Sequence, residues 1–284
     1  MVARQAHIRQ LTVVGSIPAS ATKGKERALL FFCFYNTYIL PDSQISSIFV
    51  AEYTTNHQQS KHLMTKLAIF DLDGTLLNTI ADLGAACNHA LAESGYPLHT
   101  ADEYPHLVGN GVNRLIERAL PEGKKSQENI LKLRQSFIPY YNRHNKVHTK
   151  PYDGIEDTLQ TLKTEGWLLA VASNKYQAAT EDLINHYFPG IFDAVFGERE
   201  GCPRKPDPQI VSDIISSLNI TPNSSYIIYI GDSDVDMQTA KNAGLKSVAC
   251  SWGFCSKELL QQYQPDYIIN EPYQLTKLIK TNRI

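Results

Sequence analysis

The segment from Asp71 to Thr75 constrains the fold of this chain more than any other stretch of its sequence. It follows the apolar run Leu67–Phe70, which is typical of a parallel strand that is buried on both faces. Asp71 and Asp73 are therefore predicted at the carboxyl edge of an open α/β sheet, where such sheets bind ligands. Two neighbouring carboxylates repel each other unless a cation or a proton relieves them. The sequence thus predicts a divalent metal site at this edge.

Three more polar clusters lie farther along the chain. An Asp-Gly pair after a strand would, by itself, be explained most simply as a tight turn. The downstream clusters favour a functional site instead, because each of them again borders a predicted buried strand. They are Ser173-Asn174 after the apolar run Trp167–Ala172, Lys205 in the segment Arg204–Pro208, and Asp232 to Asp236 after the run Tyr226–Ile230.

These four motifs, in this order and at these intervals, resemble those of the haloacid dehalogenase superfamily. Within it, the chain is most similar to the phosphoglycolate phosphatase group, and the resemblance extends from about Met64 to the C terminus. It implies an α/β fold in which a Rossmann-like, mostly parallel sheet has helices on both faces. It also implies an inserted α-helical cap and a metal-dependent phosphatase activity.

The pattern of apolar residues predicts how this fold is divided along the chain. From Ile80 to Ala119 apolar residues recur at spacings of three and four, which indicates helices, and we expect a helical cap over residues 80–149. Strand and helix patterns alternate elsewhere. The α/β core is therefore predicted over residues 64–79 and 150–284.

Residues 1–63 contain none of the four motifs, and we expect them not to be part of the fold. Met64 is the preferred natural start, because the first predicted strand begins at once after it. A signal peptide is one alternative, but no clear cleavage site follows the apolar stretch Ala28–Leu40. A membrane anchor is another, although that stretch is too short for a comfortable membrane span.

Composition excludes some classes of function. The chain has 284 residues, of which 43% are hydrophobic, and a formal net charge of -2. It has no stripe of lysine and arginine, so nucleic acid is not expected as a partner. Its five cysteines form no C-x-x-C pair, which favours reduced thiols and a cytoplasmic protein. His144 and His148, four residues apart, are predicted to be a solvated surface pair rather than metal ligands, since no third ligand is spaced with them.

The resemblance assigns catalytic roles to four residues. Asp71 is the expected nucleophile, which would attack phosphorus and form an aspartyl-phosphate. Asp73 would protonate the leaving alkoxide and later deprotonate the attacking water. Ser173 would hydrogen-bond a phosphoryl oxygen, and Lys205 would neutralise negative charge in the transition state. Alone, Ser173 would be explained as a turn cap and Lys205 as a surface lysine.

Mg²⁺ is the cofactor that the resemblance implies. Such a hard cation takes few carboxylates, keeps several waters and binds a substrate phosphate oxygen. The matching ligands are the Asp71 side chain, the Asp73 main-chain carbonyl and the Asp232 side chain. Asp236 would orient Asp232 or a metal-bound water. A non-catalytic binding protein with this fold would be expected to lack at least one of Asp71, Asp73, Lys205 or Asp232, and none is lacking.

The predicted cap would select the substrate. Glycines before a helix let main-chain N–H groups approach an anion, and Arg114 is placed to bind a substrate carboxylate. An ordinary helix start with Arg114 facing water is an equal alternative. The predicted substrate-binding residues are Thr75, Asn110, Gly111, Arg114 and Asn174.

The expected substrate is a small phosphorylated metabolite, and 2-phosphoglycolate is the best single choice. Pyrophosphate, sugar phosphates, nucleotides, and isomerisation in the manner of a β-phosphoglucomutase remain alternatives. Leu77-Asn78-Thr79 stands where relatives often have Val-Asp-Ser or Val-Asp-Thr, which weakens the assignment to one subfamily. A monomer or homodimer without a membrane partner is expected.

Overall fold

The computed structural model describes residues 64–221 and 225–281. The expectations for residues 1–63, including the start at Met64, lie outside the described residues. Within the described part of the chain, no helix combines the length and the apolar character that crossing a membrane requires.

A six-stranded parallel sheet forms the centre of the molecule. The strand order is β5-β4-β1-β6-β7-β8, so that the chain leaves β1 toward β4 on one side and later returns to β6 on the other. That reversal creates a crevice at the carboxyl ends of the central strands, where α/β sheets bind ligands. The strands are β1 (Thr65–Phe70), β4 (Trp167–Tyr176), β5 (Ala194–Glu198), β6 (Ser225–Gly231), β7 (Lys246–Cys250) and β8 (Tyr267–Ile269).

Both faces of the sheet are covered by helices. Because side chains alternate along a strand, Ala68 and Phe70 of β1 pack into one apolar cluster, whereas Leu67 and Ile69 pack into another. The helices outside the insertion are α5 (Ile155–Thr164), α6 (Gln177–Tyr187), α7 (Gln209–Ser217), α8 (Asp234–Asn242), α9 (Lys257–Gln262) and α10 (Tyr273–Lys280). Side chains of α5, α6 and α10 join the first cluster, and side chains of α7 and α8 join the second. The predicted α/β fold with helices on both faces is confirmed.

A helical insertion separates β1 from β4. It starts and ends at a two-stranded antiparallel ribbon, β2 (Leu77–Asn78) and β3 (Lys150–Pro151). Its helices are α1 (Ile80–Glu93), α2 (Tyr104–Leu107), α3 (Val112–Ala119) and α4 (Gln127–His144), which share an apolar cluster of their own. The division into a core and a cap at residues 79/80 and 149/150 stays a prediction.

Asp82 fastens the end of this insertion to its beginning. Its carboxylate is buried in α1 and accepts hydrogen bonds of 2.9–3.0 Å from the main-chain N–H groups of His148 and Thr149. The Thr149 hydroxyl adds a fourth bond of 2.8 Å. The two chain crossings between the insertion and the sheet are therefore held together by a buried, fully hydrogen-bonded carboxylate.

The two histidines do not share a helical face. Helix α4 ends at His144, whose Nδ1 lies 2.8 Å from the Tyr140 carbonyl oxygen, and His148 is exposed beyond the helix. A four-residue spacing places side chains on one face only while the helix continues.

Candidate active site

The four motifs meet at the carboxyl edge of the three central strands. Asp71 directly follows β1, and its main-chain N–H donates a 2.9 Å hydrogen bond to the Ile230 carbonyl of β6. Asp232 directly follows β6, and Ser173 lies near the end of β4. The register between neighbouring strands therefore fixes the relative positions of these side chains before any of them contacts another.

Lys205 is the centre of a buried cluster of charges. Its Nζ lies 2.8 Å from an oxygen of Asp71, 2.8 Å from an oxygen of Asp236 and 2.8 Å from the Ala172 carbonyl, and it is 3.1 Å from the Tyr229 hydroxyl. Burial works against the charged ammonium, but Asp236 and Asp71 raise the pKa of Lys205 well above its ordinary value. The lysine is therefore a permanent positive charge beside Asp71.

Burial raises the pKa of Asp71 to about 7, against the opposing effect of Lys205, and the nearby Asp236 contributes in the same direction as burial. Burial, together with Asp236 and Asp71, also raises the pKa of Asp232 well above its usual range. In the absence of a cation, this region holds more negative charge than the protein can easily accommodate.

The donor set fits a divalent cation. One oxygen each of Asp71, Asp232 and Asp236 lies within 4.8 Å of the other two, and all three residues are buried. Hard cations such as Mg²⁺ bind carboxylate oxygens of this kind. Asp232 is also enclosed tightly, since a Cβ at Gly74 or Gly253 would come within 2.3 Å of its side-chain atoms.

The contacts of Asp236 bear on one of its two predicted roles, the orientation of Asp232, whereas the orientation of a metal-bound water stays a prediction. No hydrogen bond joins it to Asp232 in the described part of the chain. One of its oxygens binds Lys205, and the other accepts a 3.1 Å bond from the N–H of Ser233 and a 2.6 Å bond from its hydroxyl. Ser233 in turn caps α8 through the Asp236 N–H, which completes a capping box. Asp236 thus links the start of α8 to Lys205.

Asp73 lies in a second ion pair, with a residue that the sequence analysis did not identify. Lys175 Nζ is 3.0 Å from Asp73 Oδ1 and 2.9 Å from Oδ2, and the Thr79 hydroxyl donates a 2.7 Å bond to Oδ1. Lys175 is buried. The signal in the sequence was a lysine directly after Ser173-Asn174 at the end of a buried strand, which is an unusual position for a solvated lysine.

A bulge in β4 turns this segment toward the site. Ala172 pairs with Phe196 and Tyr176 pairs with Glu198, so that residues 173–175 of β4 face the single residue Gly197 of β5. Bulges of this kind bend a strand and re-aim its side chains. A Cβ at Gly197 would lie 2.6 Å from the Lys175 carbonyl oxygen, so that only glycine allows this close approach.

Asn174 positions Lys205 through main-chain contacts. Its Oδ1 accepts a 2.9 Å bond from the Lys205 N–H, and its Nδ2 donates a 3.1 Å bond to the Lys205 carbonyl. The same Nδ2 lies 3.3 Å from Asn110 Oδ1 in the insertion. Asn174, predicted to bind substrate, therefore uses its amide to connect β4, Lys205 and the loop before α3.

A cavity of about 70 Å³ lies between the sheet edge and the loop before α3. All four motifs and the loop contribute residues that line the cavity. From the last motif these are Ser233 and Val235, and not Asp232 or Asp236. The lining residues also include Asp71, Asp73, Ser173, Asn174, Lys175 and Lys205 from the core, and Val108 to Val112 from the insertion. Asn110 and Gly111 are thus close to the predicted catalytic residues.

Two predicted substrate-binding residues do not line this cavity. Thr75 is fully buried, and its hydroxyl donates a 3.0 Å hydrogen bond to Asp232 Oδ1. Arg114 is placed on the outer face of α3, where its side chain is 60% exposed and pairs with Glu117 one turn along the helix. This position agrees with the alternative in which Arg114 faces water, and a role of Arg114 in substrate binding stays a prediction.

The site combines buried carboxylates with a permanently charged lysine at the ligand-binding edge of a parallel sheet. Such a site suits the transfer of a phosphoryl group to water. The chain is a phosphatase that acts on phosphoric monoesters. A model of the haloacid dehalogenase-like hydrolases matches residues 68–250, and the chain belongs to that family.

Similar proteins of known sequence or structure are also phosphatases of this family. The chain is 31% identical to a phosphoglycolate phosphatase of Aquifex aeolicus over 221 residues, which cover 75% of this chain and 96% of the relative. It is 34% identical to a phosphoglycolate phosphatase of Cereibacter sphaeroides over 193 residues, or 66% of this chain and 85% of the relative. A crystal structure described as a putative phosphoglycolate phosphatase of Lactobacillus delbrueckii superimposes with a TM-score of 0.71 and 33% identity, covering 76% of this chain and 99% of that one.

Proposed function

We propose that the protein is a Mg²⁺-dependent 2-phosphoglycolate phosphatase that works through an aspartyl-phosphate on Asp71. The observation that carries this proposal is the position of Asp71, which ends the central strand and has Lys205 2.8 Å from one of its oxygens. The other oxygen has no hydrogen-bond partner among the described residues, so it is free to attack phosphorus.

The reaction divides into two displacements. In the first, Asp71 attacks phosphorus while Asp73 gives a proton to the leaving alkoxide oxygen. In the second, Asp73 takes a proton from the water that attacks the aspartyl-phosphate, and Asp71 is released. Asp73 lines the same cavity as Asp71, which is the placement that a general acid and base of this reaction requires.

Lys205 and a bound metal ion would balance the charge on the phosphoryl group. The Asp71 and Asp232 side chains and the Asp73 main-chain carbonyl would hold Mg²⁺, which supplies Lewis-acid polarisation of a phosphoryl oxygen when bound. Asp236 keeps Lys205 in place from the opposite side. Ser173, which is 2% exposed near the end of β4, would donate its hydroxyl proton to a phosphoryl oxygen.

The substrate assignment is supported by the relatives and by the size of the cavity. Two curated relatives above 30% identity are phosphoglycolate phosphatases. The cavity is small and is closed on one side by the loop before α3, which suits a compact phosphomonoester. The proposal extends to a cap role for residues 80–149, to a monomer or homodimer, and to a cytoplasmic location with reduced thiols.

The test is phosphate release by the full chain with Mg²⁺, measured for 2-phosphoglycolate, pyrophosphate, sugar phosphates and nucleotides. We expect the highest kcat/KM for 2-phosphoglycolate, and loss of at least about 10³-fold in kcat for Asp71→Asn, because the amide cannot act as the nucleophile. A higher kcat/KM for another phosphate ester would reject the substrate and keep the mechanism. Activity of Asp71→Asn equal to that of the wild type would reject the mechanism.

A further inference from the structure

Lys175 joins the sheet edge to the helical insertion. Its Nζ lies 2.9–3.0 Å from both carboxylate oxygens of Asp73 and 4.7 Å from the ring centre of Tyr141 in α4. The lysine side chain is only 3% exposed. It lines the same cavity as Asp71 and Ser173. A desolvated ammonium at such a place interacts strongly with any anion that enters the cavity.

The two lysines of the cavity differ in the hydrogen-bonding capacity they have left. An ammonium has three N–H donors. Lys205 already has four oxygen acceptors within 3.1 Å, so it has no donor to spare. Among the residues that the structure describes, Lys175 has only the two oxygens of Asp73 as acceptors, and the hydroxyl of Tyr141 beside it is buried without a partner. One donor of Lys175 is therefore available for a ligand.

The loop across the cavity from the sheet edge also favours negative charge. Gly109, Asn110 and Gly111 all have positive φ angles, and they lead directly into α3. Within residues 64–221 and 225–281, no side chain caps the first turn of α3. The free N–H groups and the dipole at such a helix start attract anions.

We propose that Lys175 determines substrate specificity by binding the carboxylate of the substrate, with the start of α3 on the other side of that carboxylate. This inference rests on the proposed function, in which Lys205 and the metal balance the phosphate. A carboxylate then needs its own cation, and Lys175 is the remaining cationic residue among those that line the cavity. Binding this carboxylate was one of two equal alternatives for Arg114, and Lys175 is better placed for it, because Arg114 is exposed and paired with Glu117.

The experiment compares two substrates of nearly equal size, 2-phosphoglycolate and its amide, in which a neutral carboxamide replaces the carboxylate. The quantity measured is the ratio of their kcat/KM values for the full chain with Mg²⁺. In Lys175→Met we expect this acid-to-amide ratio to fall by about 10- to 100-fold, mainly through KM for the acid, because a charge-assisted hydrogen bond is lost. Loss of the contact between Lys175 and Asp73 affects both substrates alike and cancels in the ratio.

Two further variants keep the test decisive. Lys175→Gln removes the charge but retains a donor for Asp73, so it carries the test if Lys175→Met does not fold. Lys163→Met is the matched control, because Lys163 pairs with Asp193 and does not line the cavity, and its ratio should match the wild type within about twofold.

The outcomes separate the two proposals. An unchanged ratio in a folded Lys175 variant, with a wild type that prefers the acid, would overturn the role of Lys175 and leave the proposed function intact. A wild type that uses acid and amide equally well would also overturn it. A wild type that hydrolyses other esters but not 2-phosphoglycolate would overturn both.

Discussion

Lys205 and Asp236 form a solvent-excluded ion pair of 2.8 Å that connects the catalytic edge of the sheet to the first turn of α8. Asp236 is the third residue of α8 and forms a capping box with Ser233, so the geometry of the helix start sets the position of the Asp236 carboxylate. The carboxylate in turn sets the position of the ammonium beside Asp71. Helix capping and charge placement at the active site therefore depend on the same side chain.

Replacement of Asp236 should consequently reduce both stability and activity. In Asp236→Asn, Lys205 keeps its charge but loses one of its two carboxylates, and removal of one partner of a buried pair costs about 3–5 kcal/mol. We expect a fall of about 10 °C in melting temperature and at least about 10-fold in kcat. Asp234→Asn is the control, since Asp234 lies in the same helical turn but is only half buried and forms no such pair. Wild-type kcat in Asp236→Asn would show that Lys205 does not need Asp236.

Metal addition should stabilise the protein measurably. Burial and the neighbouring Asp236 and Asp71 raise the pKa of Asp232, which means that its ionised form lowers the stability of the folded protein. A bound cation offsets this repulsion. At a Mg²⁺ concentration of about 100 times Kd the gain is about 2.7 kcal/mol, or roughly 5–10 °C in melting temperature.

The matched variant for this prediction is Asp232→Asn, which removes one carboxylate from the group of three. Its melting temperature in a chelating buffer should change little when Mg²⁺ is added, because the amide is a poor ligand for a hard cation. Differential scanning fluorimetry with and without Mg²⁺ measures both proteins. Equal shifts in the two would place the metal elsewhere.

Gly197, which lies opposite the bulge in β4, is expected to affect activity although it does not line the cavity. Gly197→Ala would place a Cβ 2.6 Å from the Lys175 carbonyl and 2.7 Å from the Thr180 hydroxyl. Since the neighbouring main chain must move, we expect Lys175 and Ser173 to shift and kcat/KM to fall by about 10²-fold. The assay should be made well below the melting temperature of the variant, so that a loss of folded protein is not counted. A fully active variant would show that the bulge is not needed to place these residues.

Asn174→Ala tests the role of the amide that connects β4 to Lys205. The variant loses two hydrogen bonds to the main chain of Lys205 and the contact with Asn110. We expect kcat to fall about 10-fold or more, with a similar effect on all substrates, because the change acts through Lys205. If instead KM alone rises, and only for 2-phosphoglycolate, Asn174 would be a direct substrate contact, as the sequence predicted.

The sheet and the motif residues could be predicted from the sequence because the signals are local. A buried parallel strand such as Leu67–Phe70 is continuously apolar, and the polar residues that end it stand directly after it. The apolar runs Trp167–Ala172 and Tyr226–Ile230, which were predicted as buried strands, lie within β4 and β6. Helix α9 was not predicted, since six residues carry too little periodicity.

The contacts of single side chains could not be predicted in the same way. The sequence left Arg114 equally open as a substrate ligand or as a residue that faces water, and only the structure shows its exposed pair with Glu117. Lys175 was missed because its importance depends on the bulge opposite Gly197, and a bulge reflects pairing between distant strands. Asp236 was predicted to orient Asp232 or a metal-bound water, and the sequence did not show that its oxygens bind Lys205 and Ser233.

The sequence by itself determined the fold class, the four motifs and the order in which they follow the buried strands. These features depend on residues that are neighbours in the chain. The tertiary structure decided which charges meet. Ion pairs such as Lys205 with Asp71 and Lys175 with Asp73 join residues more than 100 positions apart. Such pairs depend on sheet register, on the bulge and on the rotation of helices, none of which a local pattern specifies.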